Sequence, residues 1–486
     1  MKRALIALLC LAASAAGAHV GSPDVFFEGT AGPYRLLVAV RTPPMIPGVA
    51  DVEVRCASDG CASVRVVPLR LTGPGSQAAP AADEASRSPQ DPQLFTASLW
   101  LMENGSWQVR VHVEGASGPA ELSVPVPAAA RRTLRLHGAL AVLLSVLLCA
   151  LAVGFVAIAG AATREAMLEP GAVRSGVEHD RRVRRGRIAM AFAACAMALL
   201  AALGNHWWNV EAARREGQVV YKSPALGVLR EGDKLTLTIG EPGLPGLEDL
   251  QGLLPDHGHL MHLIVLREPA LDRVFHLHPE EQTAPTFVQF LPPMPPGRYR
   301  LFAEIVRSSG FPETMVQELD LPEGVRGSAL GGDDAAGTAP AAREPERVSA
   351  TLHDGGRLVW LRPPGPLTAR ALTLFRFRAE DLGGAPAGDL QLYLGMTGHA
   401  LFLKSDLSVF AHVHPDGSVA MPALTLARAG LGQADPHAGH HMPAGKLPAE
   451  LSFPYGFPSP GEYRIFVQFK RAGVVETASF DATVVL

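Results

Sequence analysis

Two short stretches with nearly the same sequence decide the fold: Val274-Phe275-His276-Leu277-His278-Pro279 and Val409-Phe410-Ala411-His412-Val413-His414-Pro415. Each stretch is rich in β-forming residues, and each follows a predicted strand that begins at a histidine. Each is followed by a Pro-Gly-x-Tyr-Arg segment, at 296–300 and 460–464. This internal repeat predicts two tandem β-sandwich domains, called here the first repeat (221–322) and the second repeat (348–486), with a linker at 323–347.

The register between the two repeats depends on which histidine matches His399. Both repeats contain Asp-Leu-Gln, at 249–251 and 389–391, and counting from it without a gap pairs His259 with His399. Aligning the apolar strand that follows in each repeat pairs His262 with His399 instead. We adopt the second register, because a strand must keep the same residues on its buried face.

Composition excludes several classes of protein. A chain of 486 residues is too long for a single compact core. Its net charge of −4 gives no overall basic surface for nucleic acid. The 49 glycines and 41 prolines favour turn-rich β domains, and five cysteines are too few for a disulfide-dense scaffold.

Three apolar segments predict export and membrane anchoring. Residues 1–18 have a basic start, an apolar run and a small-x-small end, which is typical of a cleavable signal peptide. Segments 138–162 and 188–204 are predicted transmembrane helices, since about 20 apolar residues span a bilayer. The arginine-rich loop at 163–187 predicts a cytoplasmic side. We therefore expect a protein of the inner (plasma) membrane with both terminal parts extracytoplasmic.

The segment 19–132 is predicted to be an N-terminal extracytoplasmic β-sandwich, because it contains several short β-rich runs separated by Gly-Pro and Pro-Pro steps. The complete fold class is thus mainly β, with three Ig-like β-sandwich domains and two transmembrane helices. Cys56 and Cys61 flank a hairpin-turn sequence, which predicts a disulfide outside the cytoplasm. A thiolate metal site is the alternative.

The His-x-His pairs indicate a metal site. On a β-strand, alternate side chains share one face with Cα atoms about 6.6 Å apart, so both imidazoles reach one ion. An antiparallel neighbouring strand would add a third imidazole or a methionine thioether. Imidazole with thioether favours copper, with zinc or nickel as alternatives. The predicted ligands in the repeats are His262, His276, His278, His399, His412, His414, Met261 and Met396.

Two further sites are weaker predictions. His437, His440, His441 and Met442 lie in a loop flanked by glycine, proline and alanine, and they predict loose ion capture, with a solvated polar loop as the alternative. Cleavage after residue 18 would make His19 the N-terminal residue, whose amine and imidazole could chelate Cu²⁺ together. The alternative is that His19 has no role in binding and becomes N-terminal only because cleavage happens to fall before it.

The histidine strand pair followed by Pro-Gly-x-Tyr-Arg resembles YtkA-like extracytoplasmic domains and, more distantly, CopC-type copper-resistance sandwiches. The resemblance covers 221–486 and implies an Ig-like sandwich with copper association in some relatives. The copper-resistance pattern uses a histidine at the mature N-terminus of the same domain, whereas His19 lies in a different domain here.

The leading hypothesis is therefore a membrane-anchored periplasmic protein that binds metal, with copper first, and that buffers or delivers ions, alone or to other membrane or periplasmic proteins. The alternative is a structural or sensory Ig-like scaffold whose histidines bond to neighbouring carbonyls. An enzyme is not predicted. His276, His278 and Glu280 resemble part of a cupin metal set, but the Pro-Gly-x-Tyr-Arg segment lacks the later histidine.

Overall fold

The computed structural model describes residues 24–58, 60–134, 136–166, 177–241, 252–433 and 446–486. The described residues form two compact units. One comprises the N-terminal part through Arg131 together with Tyr221–Leu486, and the other is Arg132–Val220. The first unit is built almost entirely from β-strands, and the second is helical. The prediction of a mainly β chain with two apolar helices is confirmed.

The N-terminal domain consists of two antiparallel sheets, with orders β1-β2-β3-β7-β6 and β5-β4-β8-β9. Alternation along its strands buries one side, as in β8, where Val109, Val111 and Val113 are fully buried. Cys56 and Cys61, which end β3 and begin β4, are joined by a disulfide. The strands are β1 Val25–Ala31, β2 Tyr34–Arg41, β3 Gly48–Cys56, β4 Cys61–Arg70, β5 Asp83–Glu84, β6 Ser86–Arg87, β7 Leu94–Leu101, β8 Gly105–Gly115 and β9 Ala120–Ala128.

The first repeat also has two sheets, with orders β10-β11-β16-β15 and β12-β17-β13-β14-β19, and β18 pairs with β17 in the second of them. Apolar residues from both sheets meet in one core, for example Leu237 of β11 and Val265 of β13. The strands are β10 Leu226–Glu231, β11 Lys234–Ile239, β12 Leu253–Leu254, β13 His262–Glu268, β14 Arg273–Leu277, β15 Glu280–Thr283, β16 Thr286–Phe290, β17 Gly297–Arg307, β18 Pro312–Leu321 and β19 Ala335–Thr338.

The second repeat has the same plan, with sheets β20-β21-β23-β27 and β22-β29-β28-β25-β26 around one core, and β24 pairs with β28. A short helix, α3, follows β26 and is numbered after the two helices described below. The strands are β20 Ser349–Thr351, β21 Arg357–Trp360, β22 Leu367–Thr368, β23 Thr373–Glu380, β24 Leu390–Gln391, β25 His399–Lys404, β26 Phe410–Val413, β27 Glu450–Tyr455, β28 Gly461–Arg471 and β29 Val474–Val485; α3 is Met421–Ala429.

The segment 323–347 holds more structure than a linker requires. Its residues 335–338 form β19, which pairs antiparallel with β14 and extends the sheet of the first repeat. The residues just before β19 are two adjacent aspartates, Asp333 and Asp334, and both lie beside histidines. Composition alone did not reveal this strand, because glycine and alanine carry little β-propensity and the pairing depends on a partner far away in sequence.

The two repeats pack against each other through their larger sheets. Strand β13 places Leu263 and Val265 in the core of the first repeat, and Ile264 and Leu266 in a second core that it shares with the second repeat. In that shared core the rings of Phe302 and Phe410 stack at 4.2 Å. Both faces of β13 are therefore buried, which explains why its sequence is apolar at successive positions instead of alternating.

The second unit is a pair of helices, α1 Gly138–Glu165 and α2 Val177–Val219. Both are long and apolar enough to cross a membrane. The second helix begins at 177, so the arginines at 181–187 that were expected in a loop are helical. The helices approach closely at Gly160, where an added Cβ would lie 2.4 Å from the Met190 side chain. Small residues at such a contact let two apolar helices pack.

Candidate metal centre

Eight histidines from both repeats form one continuous group, called here the histidine cluster. They lie at one end of the shared core, because His262, His276, His399 and His412 continue the faces of β13, β14, β25 and β26 that pack between the repeats. Adjacent rings have centroids between 4.1 and 6.1 Å apart. The members are His257, His259, His262, His276, His278, His399, His412 and His414.

The structure confirms the register in which His262 corresponds to His399. His262 begins β13 and lies opposite Glu304, and His399 begins β25 and lies opposite Gln468. Each is preceded by a tight turn closed by paired backbone bonds, at 256–259 and 393–396. The turn in the first repeat carries His257 in the left-handed region, with φ of 52°. It therefore presents a histidine where the second repeat has Leu394.

The first trio consists of His262, His276 and His278. One ring nitrogen from each lies within 4.8 Å of the other two, and all three residues are buried. His262 Nδ1 is 3.0 Å from His276 Nε2. The three side chains predicted to converge in the first repeat do so.

The second trio crosses between the repeats. It consists of His257, His399 and His414, whose ring nitrogens also lie within 4.8 Å of one another. His257 Nε2 is 3.3 Å from His414 Nε2. His399 and His414 were expected to meet His412, and their rings do lie 5.3 and 4.9 Å from that of His412. The trio whose ring nitrogens lie within 4.8 Å has His257, contributed by the first repeat, as its third member.

His412 is held by a bond to the other repeat. Its Nδ1 lies 2.9 Å from Oε2 of Glu304, and in the reciprocal position His276 Nδ1 lies 3.0 Å from Oε1 of Gln468. Each repeat thus orients a histidine of the other repeat. The residues that do so are Glu304, which lies opposite His262, and Gln468, which lies opposite His399. The His412 ring remains 4.9 Å from that of His414 and 5.2 Å from that of His276, which places it between the two trios.

The hydrogen bonds determine which nitrogens remain free to bind an ion. His262 Nε2 donates to the carbonyl of Asp256 at 3.1 Å, and His276 Nδ1 donates to Gln468, so the two facing nitrogens carry lone pairs. Two lone pairs held 3.0 Å apart repel unless a cation lies between them. Two imidazoles on one ion, each at about 2.0–2.1 Å, would have nitrogens roughly 3 Å apart.

Several other ring nitrogens have no hydrogen-bond partner within the described part of the chain. They are Nε2 of His278, Nε2 of His412 and both nitrogens of His399. His278 Nδ1 lies 3.0 Å from Oδ1 of Asp334, so in the neutral ring the proton is on Nδ1 and the lone pair is on Nε2. Buried polar atoms without partners are costly, and a histidine held through one nitrogen by a carboxylate is typical of a metal ligand.

Burial keeps most of the cluster neutral. It lowers the pKa of His262, His276 and His399 well below the usual value, and neighbouring histidines lower it further. Burial followed by the charge effect of His257 lowers the pKa of His414 to about 3. Burial also raises the pKa of Asp256. Neutral imidazole is the form that binds metal, so the cluster is ready to bind near neutral pH.

The metal-free protein is expected to lose stability as pH falls below about 6.5. There the unfolded chain protonates His262, His276, His399 and His414, whereas their lowered pKa keeps them neutral in the folded protein. Each therefore contributes up to about 1.4 kcal/mol of loss per pH unit. Urea unfolding of metal-free protein between pH 7.5 and 5 measures this slope. His399→Asn removes one such group and is expected to reduce it, whereas an unchanged slope would show that His399 is not protonated selectively on unfolding.

The N-terminal domain supports the turn that carries His414. Strand β1 bridges to Gly417, and Ser418 Oγ accepts a hydrogen bond from Phe26 at 3.0 Å. A Cβ on Gly417 would lie 1.9 Å from the Phe26 carbonyl oxygen, so only glycine fits there. Within this turn His414 Nδ1 bonds to the carbonyl of Val419 at 3.2 Å, which directs Nε2 toward His257.

The structure separates the other predicted ligands. Met261 is fully buried in the core of the first repeat, on the opposite side of the sheet from His262, because adjacent residues of an extended chain point to opposite faces. This removes Met261 from the predicted ligand set. Met396 is buried in the turn before His399. His19, His437, His440, His441, Met442 and the signal segment 1–18 lie outside the described residues.

The sequence did not identify His257 as a candidate ligand, and it did not identify Asp334 as the carboxylate that positions His278. The Asp-His-Gly-His step at 256–259 was the available signal for His257, since glycine after histidine permits the turn that carries the ring. Asp334 lies in the segment assigned to a linker, and its alignment with His278 depends on the pairing of β19.

Comparison with known proteins finds a match to a family without an assigned role. Residues 219–317 and 352–485 match the model of DUF8832, a domain of unknown function, and these segments cover slightly less than half of the chain. No curated protein matches.

Three of the solved structures to which the chain is similar have low TM-scores. An engineered protein is 17% identical over 19% of this chain and 20% of its own, with a TM-score of 0.16. Latent PorU from Porphyromonas gingivalis is 10% identical over 95% of this chain and 34% of its own, with a TM-score of 0.15. Salmonella alpha-2-macroglobulin is 9% identical over 96% of this chain and 23% of its own, with a TM-score of 0.19.

Proposed function

We propose that this protein is a membrane-anchored extracytoplasmic metal-binding protein that holds ions, copper first, in the histidine cluster between two Ig-like repeats, and that it buffers or delivers them. The observation that carries the proposal is the first trio, in which two lone-pair nitrogens face each other at 3.0 Å while the Nε2 of His278 has no hydrogen-bond partner among the described residues. A structural role would leave these atoms unsatisfied in the interior.

The imidazole nitrogens of the cluster support copper for a different reason from the one that the sequence suggested. Met261 supplies no thioether, so the preference for Cu(I) by soft ligands does not apply at this residue. Neutral imidazoles remain, and for such nitrogen sites the affinity of divalent ions rises to a maximum at Cu²⁺. Zinc and nickel are the alternatives.

The extracytoplasmic location is part of the same proposal. It is supported by the two helices long enough to span a bilayer, by the arginines at 181–187 before the apolar part of the second helix, and by the disulfide between Cys56 and Cys61, since such bonds persist in oxidising compartments. The resemblance to YtkA-like and CopC-type domains, which would add an Ig-like topology, stays a prediction.

The test is the metal content of the full-length protein in detergent. We expect about two copper ions per chain in the wild type, one for each trio, and their loss in the variant with His276→Ala, His278→Ala, His412→Ala and His414→Ala. Its matched control replaces four histidines outside the cluster, His112, His179, His206 and His353, with alanine. Circular dichroism shows whether the sheets of each variant are retained.

A cluster variant that is folded and still binds the wild-type amount of copper would overturn the proposal and favour the structural scaffold. If both variants lose metal equally, the ions bind outside the cluster and the proposal also fails.

A further inference from the structure

An open cleft of about 630 Å³ lies beside the first trio, and nothing in the metal-binding proposal requires it. Its wall contains one side chain of that trio, His278, and the neighbouring His259. The two rings are stacked with centroids 4.1 Å apart. His278 is 8% exposed, whereas His259 has 30% of its side chain exposed, so the pair runs from the cleft toward the buried cluster.

The cleft is strongly acidic. Four carboxylates line it, on Glu280, Glu281, Asp333 and Asp334, against one lysine, Lys234. Asp334 is engaged, since Oδ1 accepts from His278 and Oδ2 accepts from Gln289 at 3.1 Å. Asp333 Oδ2 lies 3.9 Å from Nε2 of His259, and both side chains are partly exposed. Charge of one sign in a cleft concentrates counter-ions.

An independent feature connects the acidic cleft to metal. His278 is buried, lines the cleft, and has no hydrogen-bond partner for its Nε2 within the described segments. His278 also belongs to the first trio. An ion arriving in the cleft would therefore meet a side chain that already belongs to the interior site.

We propose that this cleft is the entrance through which hydrated metal cations reach the histidine cluster, with His259 and Asp333 forming an outer capture site that passes the ion to His278. The inference rests on the proposed metal-binding function and assigns to it a route and a first binding site. Asp333 replaces part of the hydration shell, His259 adds an imidazole, and the stacked His278 is one ring further inside. Asp334 positions His278 and is not a capture ligand.

A second opening exists on the other side of the cluster but is far smaller. A cavity of about 70 Å³ is lined by His262, His412 and His414 together with Asp256 and Glu304. It has room for about two water molecules. Its Glu304 carboxylate is bonded to His412, so this cavity offers less free negative charge than the cleft.

The test is the rate at which the full-length, metal-free protein binds Cu²⁺, followed by stopped-flow absorbance at several salt concentrations. We expect Glu280→Gln with Glu281→Gln to slow association about 10-fold at low salt and to weaken its salt dependence, because acidic clefts raise association rates by 10–10³. The final copper content is expected to match the wild type, because neither carboxylate belongs to the capture site. His259→Ala, which removes a capture ligand, is expected to slow loading similarly.

The matched control removes two other carboxylates, one at the end of the first repeat and one just after it, Asp320→Asn with Glu323→Gln, which are exposed and outside the cleft. It is expected to load at the wild-type rate. If both cleft variants bind Cu²⁺ at the wild-type rate and retain their copper content, the cleft is not the entrance. The proposed metal-binding function would then still stand. Loss of copper from the four-histidine cluster variant tests that function separately, and a wild type that binds no copper overturns both.

Discussion

Substitution of His257 by asparagine is expected to weaken binding of the second ion by at least 10–100-fold while leaving the first ion in place. Loss of residues that only support a metal ligand already costs about that much, so loss of a ligand costs no less. His257 provides one of the three nitrogens of the second trio, 3.3 Å from that of His414. Asparagine is chosen because it tolerates the left-handed conformation at this position, with φ of 52°.

Competition with a copper chelator measures the two affinities. His259→Ala is the matched control, because His259 lies two residues away in the same turn and belongs to neither trio. It is expected to keep both equilibrium affinities. If His257→Asn binds two ions as tightly as the wild type, the second site does not bridge the repeats, and His412, whose ring is 5.3 Å from that of His399, replaces it as the third ligand.

Asp481→Asn is expected to destabilise the paired repeats by about 3–5 kcal/mol, since it leaves a buried arginine without its anion. Arg464 is fully buried and makes two bonds to Asp481, at 2.9 and 3.2 Å. The same guanidinium donates to the carbonyls of Ala270 and Leu271 in the first repeat, at 3.1 and 3.0 Å. The ion pair of the second repeat therefore also holds the first repeat against it.

Urea unfolding of the full-length protein measures this loss of stability. Glu114→Gln is the control, because it breaks an ion pair with Arg65 in which both side chains are about half exposed, and such pairs contribute less than about 1 kcal/mol. Equal effects of the two substitutions would mean that the Arg464 charge is compensated in another way. A large effect of Asp481→Asn accompanied by weaker binding of the second ion would connect docking of the repeats to the second trio.

The sequence was sufficient for features that depend on neighbouring residues. Alternation along a strand places His276 and His278 on one face, and the shared pattern identifies His262 with His399. Hydropathy was sufficient to locate the two long apolar helices, although it placed the start of the second one too late, at 188 instead of 177. Charged side chains lower the hydropathy of a helix without preventing it from forming, so hydropathy underestimates its length.

The composition of the second trio could not be read from the sequence. The local sequence does not show whether His412 pairs with Glu304 or joins His399 and His414 as the third ligand. The choice follows from how the two large sheets dock, which brings the turn at 256–259 from the first repeat next to β25 of the second. Residues separated by more than a hundred positions then share one site.

Thus the chain itself determined which side chains face the same way along each strand, because backbone geometry alone sets the two-residue period. The same period turns Met261 to the opposite face from His262. Packing between the repeats decided which of the histidines meet and which nitrogens of His276 and His412 stay free. These depend on the shared apolar core of the two sheets, whose burial energy is summed over many residues and fixes the relative position of the sheets.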